Sequence, residues 1–82
     1  MHEVGIAQSI LEAVQTEMRP YPGALPVKLA VKVGEMSGVD RDSLSFCFEA
    51  IARGTLFETM ILAIEDAPAD ELELSYLELE EP

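Results

Sequence analysis

Between the break at Arg19-Pro20-Tyr21-Pro22-Gly23 and the turn that opens at Gly34, Val27, Leu29, Val31 and Val33 alternate with Lys28, Ala30 and Lys32. Successive side chains of a strand point to opposite faces, so this period of two predicts a strand with one buried and one solvated side. The two lysines on the second side are read as solvated, since two charges are too few for a nucleic-acid surface. A single half-apolar strand cannot hide its own buried face, and the rest of the chain has to cover it. With 82 residues there is room for a single domain, 1–82, and one core. An apolar share of 49% is enough to fill that core.

Cover comes first from the N-terminal side. Val4, Ala7, Leu11, Val14 and Met18 recur at helical spacing, Ile10 widens the stripe, and Gln8, Glu12, Gln15 and Thr16 take the other positions. This predicts a helix from Glu3 to Met18 with one buried face. Glu3 in the first turn complements the positive end of the helix dipole. Gly5, a weak helix former, marks a first turn that is either loose or closely packed. The prolines after Arg19 end the helix.

After the strand, Gly34-Glu35-Met36-Ser37-Gly38-Val39-Asp40 is a turn into a second helix, which Asp40 or Asp42 can cap by accepting a first-turn amide. Leu44, Cys47, Phe48 and Ile51 line one face of that helix, so Cys47 reads as a small buried hydrophobe and not as a nucleophile. Gly54 after Arg53 is a C-terminal stop. Thr59 to Ile64 is an apolar run of strand length, and Asp66-Ala67-Pro68-Ala69-Asp70 is a polar turn. Leu72, Leu74 and Tyr76 then alternate with Glu71, Glu73 and Ser75, whereas Leu77 and Leu79 fall on the opposite parity. A bulge near Tyr76-Leu77 would return both sets to one face. Glu78, Glu80 and Glu81 guard the end of that strand against pairing with other chains. The expected fold class is α+β, in the order helix, strand, helix, strand, strand. Two helices pack on one face of a three-stranded mixed sheet; a crossover joins the first two strands and the last two form a hairpin.

Five Lys and Arg against 16 Asp and Glu leave a net charge of −11, which argues against binding nucleic acid or an anionic membrane. One cysteine excludes an internal disulfide framework and a multi-cysteine zinc cluster. The start lacks the basic and apolar regions of a signal peptide, and no run of about 18 apolar residues occurs to span a membrane. A soluble, cytoplasmic domain is expected, with its oligomeric state open because a small sheet leaves edges exposed. With one histidine, a core cysteine and no nucleophile–base or phosphate-loop motif, no catalytic residue is expected: the chain is not read as an enzyme.

The histidine stands at position 2. Met1-His2-Glu3 offers a divalent metal the terminal amine of Met1, the imidazole of His2, and the backbone amides of His2 and Glu3 once deprotonated. Chelate rings through adjacent backbone atoms enforce a near-planar nitrogen set, which suits Ni(II) or Cu(II). The plainer reading is a solvated side chain at a chain end, and three residues alone do not decide between them.

The opening Met1-His2-Glu3-Val4-Gly5-Ile6-Ala7-Gln8-Ser9-Ile10-Leu11, taken with Val31-Lys32-Val33-Gly34-Glu35-Met36-Ser37-Gly38-Val39-Asp40, resembles the HypA/HybF family of hydrogenase nickel-incorporation proteins. Leu44 to Ala50, which with the preceding Ser43 reads S-L-x-F-x-F-E-A, fits the same family, as do Arg53-Gly54-Thr55 and the closing stretch from Glu71 to Glu80. The resemblance covers essentially the whole chain and departs at one place. Members of the family carry a zinc domain with two Cys-x-x-Cys pairs between the last two strands, whereas residues 66–70 here are Asp-Ala-Pro-Ala-Asp and no such pair occurs. The likeness is to the nickel-binding domain with the zinc domain missing, so no zinc is expected.

What the resemblance implies is a Ni(II) chaperone. His2 would be the essential ligand through its imidazole, Met1 would add its amine, and the amides of His2 and Glu3 would complete the plane. The Glu3 carboxylate would orient the site. Asp40 corresponds to an acidic position near it, with a helix cap as the competing structural role. The implied partner is a HypB-type GTPase, and the destination is the hydrogenase large-subunit precursor or a urease maturation system. Because the zinc domain is missing, an alternative stays open: a metal-independent interaction module, scaffold or competitor, that keeps the docking fold without delivering nickel.

Overall fold

A computed structural model describes residues 3–81; Met1 and His2, two of the candidate nickel ligands, lie outside the described residues, as does Pro82. The alternating stretch forms the middle strand, β1 (Leu25–Gly34), preceded by α1 (Glu3–Met18) and followed by α2 (Arg41–Ala52), β2 (Ile61–Ala67) and β3 (Leu72–Glu80). The sheet order is β2-β1-β3, with β1 parallel to β2 and antiparallel to β3. This is the expected mixed sheet with two helices on one face. Leu29, Val31 and Val33 of β1 meet Ala7 and Val14 of α1 and Leu44 and Phe48 of α2 in the core, which Phe57 and Met60 extend.

The expected hairpin of the last two strands is not formed. β2 returns from its helical crossover to one edge of β1, and β3 takes the other edge, where Leu74 and Leu77 pack half-buried beside Val31 and Leu29. Residues 68–71 therefore arch over the end of β1. Gly34 donates its N–H to the Glu71 carbonyl at 2.6 Å, Met36 to Ala69 at 2.8 Å and Glu35 to Ala67 at 3.3 Å.

The bulge foreseen in β3 is present, one residue earlier than expected. Val31 pairs with Leu74 and Ala30 with Tyr76, so Ser75 is the extra residue that brings Leu74 and Leu77 to one face. A second register shift lies between Pro26 and Lys28. It turns Val27 outward (38% exposed) and buries Pro26, which corrects the expectation that Val27 joins the core. Val4 is likewise not on the buried stripe: at 56% exposed it sits where the first turn of α1 runs past the core, and Ile6 packs in its place. The segment before β2 holds Met60 in the core, and pairing begins at Ile61, two residues later than the apolar run suggested. Cys47 packs against the core from a half-buried position.

The other face of the sheet carries the two lysines beside acidic residues of the flanking strands. Lys32 lies opposite Glu65 and Glu73, 4.0 Å from the latter, and Lys28 lies opposite Ile61 and Glu78. The Lys28 ammonium sits 5.7 Å from the centre of the Tyr76 ring. Its pKa is raised above the ordinary lysine value, first by the Tyr76 hydroxyl and then by Glu78 and Glu65.

Candidate metal centre

α1 begins at Glu3. The first amides of a helix have no intrahelical acceptor, and the dipole leaves that end partly positive. The Glu3 carboxylate answers this from a half-buried position, and its Oε2 also accepts the backbone N–H of Asp40 at 3.2 Å. Asp40 in turn is the N-cap of α2. Its backbone is extended, its Oδ1 accepts the Ser43 N–H at 3.0 Å and its carbonyl accepts the Leu44 N–H at 2.9 Å. Of the two candidate caps Asp40 is the one used, and Asp42 lies inside the first turn of α2. The starts of two helices thus meet through one hydrogen bond between residues 37 positions apart.

Arg41 fixes this junction to the sheet. Its guanidinium donates to the Val33 carbonyl at 3.3 Å and pairs with Asp66 at the end of β2. The residue that follows His2 is therefore anchored, through Asp40 and Arg41, to the ends of both parallel strands. Two of the four candidate site residues, Glu3 and Asp40, are brought together; Met1 and His2 precede them outside the described residues. Among the described residues no group of three or more His, Cys, Asp or Glu side chains is placed to hold a metal ion. No described helix is long and apolar enough to cross a membrane.

The contact of Glu3 with Asp40 could not be read from sequence, because nothing local in either stretch points to the other. Gly5 leaves two options, and the structure takes the loose one: among the described residues, a Cβ added there would meet nothing within 4 Å.

The family model for hydrogenase/urease nickel incorporation, metallochaperone, hypA matches residues 1–72. Hydrogenase maturation factor HypA of Chlorobaculum tepidum is 46% identical over 66 residues, covering 80% of this chain and 58% of that protein. The factor of the same name from Geotalea daltonii is 41% identical over 69 residues, covering 84% and 60%. That from Salmonella typhimurium is 33% identical over 70 residues, covering 85% and 59%. The chain belongs to the HypA family. It spans about 58–60% of the length of these curated relatives. Among solved structures, the solution structure of the Ni metallochaperone HypA from Helicobacter pylori superposes with a TM-score of 0.86 over 100% of both chains. At 17% identity that likeness establishes the shared fold.

Proposed function

We propose that this chain binds Ni(II) as cargo through the Met1 amine, the His2 imidazole and the backbone amides of His2 and Glu3, and delivers it during [NiFe]-hydrogenase maturation. The observation that carries this reading is the family match across residues 1–72, which takes in an intact Met1-His2-Glu3. Physical chemistry favours the place. The amide of Glu3 opens α1, so giving up its proton to a metal breaks no helix hydrogen bond. A deprotonated amide nitrogen is also better tolerated at the positive end of a helix than elsewhere. Glu3 tied to Asp40 holds the third residue of the motif in a fixed orientation, the role proposed for both carboxyl-bearing residues. An imidazole and terminal backbone atoms form an exposed set that an incoming ligand displaces one group at a time, which suits transfer better than storage. The receiving partner in this reading is a HypB-type GTPase, with the hydrogenase precursor or a urease system downstream. No catalytic step is assigned to the chain.

The competing reading is a metal-independent interaction module. It is favoured by the absence of any Cys-x-x-Cys pair and by Asp66-Ala67-Pro68-Ala69-Asp70 standing where the family's zinc domain would enter. Calorimetric titration of Ni(II) into the untagged chain, beside a folded His2→Ala variant, separates the two. Stoichiometric binding by the parent and none by the variant is expected. Equal binding by both, or by neither, leaves the interaction module. Binding should also weaken between about pH 8 and pH 6, because an α-amine (about 7.7–8.0) and an imidazole (about 6.5) must lose protons to coordinate. A chain with its amine blocked should bind no better than the variant.

A further inference from the structure

β3 is an edge strand of nine residues, and among the described residues it pairs with β1 alone. Its other side presents a row of backbone donors and acceptors, the template on which another strand can add. Two clefts lie end to end along it. The first, about 420 Å³, has Gly5, Ser9 and Ala13 of α1 as one wall and Leu72 and Leu74 as the other. The second, about 590 Å³, starts at Ala13 and Leu74 and continues past Leu77 to Leu79. Gly5, Ser9 and Ala13 are all exposed and follow one another at one-turn spacing on α1, so their short side chains leave a trough along the helix. Leu72, directed into it, stays 40% exposed. Glu73, on the opposite side of the sheet, also borders the first cleft, which therefore reaches the free edge of β3.

A strand added at this edge would point alternate side chains into the trough and the others outward, beside Glu73 and Glu78. Glu17 and Glu81 rim the second cleft. The inward positions call for apolar side chains and the outward and rim positions for cations, within a protein of net charge −11. A second copy of β3 would bring the same glutamates against each other, which is unfavourable for directly opposed strand residues.

We infer that the free edge of β3 and the trough beneath α1 form a docking site for an extended segment of a partner protein in which apolar residues alternate with Lys or Arg. Main-chain pairing supplies affinity and the alternation supplies specificity. The site uses no metal and stands apart from the nickel reading.

The test is an NMR and hydrogen-exchange titration of the full chain with a capped peptide of alternating valine and lysine. The controls are a peptide of the same composition in blocks and an alternating valine–glutamate peptide. The alternating basic peptide is expected to bind at least tenfold more tightly than either control. It should slow exchange of the β3 edge amides at least tenfold and shift the resonances of Gly5, Ser9 and Ala13. Ser9→Leu fills the trough and should cut affinity at least tenfold at an unchanged circular dichroism spectrum; Gln8→Leu, on the neighbouring exposed position, should not. Ala13→Leu serves the same purpose if Ser9→Leu fails to fold. Equal affinity for the block peptide, unprotected β3 amides, or full binding by a folded trough-filling variant would overturn the assignment. So would a sedimenting dimer whose β3 amides are protected without peptide, because a second copy would then be the occupant.

Discussion

Gly34 sits where β1, the start of the following turn and the arch from β2 to β3 converge. A Cβ placed there would collide with the backbone of Ala69 and Glu71, neither of which can swing aside as a flexible side-chain end could. The arch is pinned by hydrogen bonds from Gly34 and Met36, so relief would have to break one of them. Gly34→Ala should destabilise the protein by about 1–3 kcal/mol, the usual range for overpacking. Gly5 is the opposite case: it lies in the first turns of α1 with nothing among the described residues within 4 Å of an added Cβ. Gly5→Ala should stabilise by about 0.5–1 kcal/mol through lower unfolded-state entropy and better helix propensity. Urea unfolding checks both, with midpoints moving in opposite directions and slopes unchanged. A Gly34→Ala midpoint at or above the parent's would mean that the arch is not held against β1 as described.

Elements show how far local pattern reaches. The two phenylalanines of the S-L-x-F-x-F-E-A stretch are two residues apart on α2 and meet opposite environments: Phe48 is 3% exposed and Phe46 is 73% exposed. Phe48→Ala should cost about 3–5 kcal/mol, whereas Phe46→Ala should stay within about 0.5 kcal/mol; thermal or urea unfolding of the two variants decides, and comparable losses would mean that α2 is rotated. The helical spacing of Leu44, Phe48 and Ile51 by itself assigns Phe48 to the core. Periodicity likewise made β1 legible, because its three central inward residues all meet helices. Periodicity does not tell where the core stops: it includes Val4, although α1 runs past the sheet, and Val27, although a register shift turns it out. The pairing of β3 was not legible either: its leucines say that it is half-buried but not on which edge, and only the parallel return of β2 leaves the far side of β1 open. For the candidate site, residue type and spacing nominated Met1-His2-Glu3 and Asp40. The hydrogen bond that joins Glu3 to Asp40 depends on where two helices start in space, and no local signal encodes that.

At the scale of the whole molecule, electrostatics sets two effects against each other. Sixteen carboxylates and five cations share a body of 39 × 23 × 17 Å, so most carboxylates have no cation of their own. The pairs Lys32–Glu73 and Arg41–Asp66 oppose that repulsion, but both are exposed, and pairs of this kind are worth about 0–1 kcal/mol each. Salt weakens attraction and repulsion alike, so the sign of the response reports which dominates. The screening length is about 30 Å at 0.01 M salt and about 8 Å at 0.15 M. At the lower concentration each carboxylate interacts with charges across most of the molecule; at the higher one, chiefly with its neighbours. With net charge −11, long-range repulsion outweighs a few exposed pairs. Raising NaCl from about 0.01 M to about 0.15 M should therefore raise the midpoint of unfolding in urea, a denaturant that adds no ions of its own. A falling midpoint would assign the balance to the exposed pairs instead. The same change should weaken capture of a basic strand at β3, since that attraction draws on the net negative charge of the molecule. Added salt is thus expected to tighten the fold and loosen its proposed partner together, a pairing that generic changes in stability would not produce.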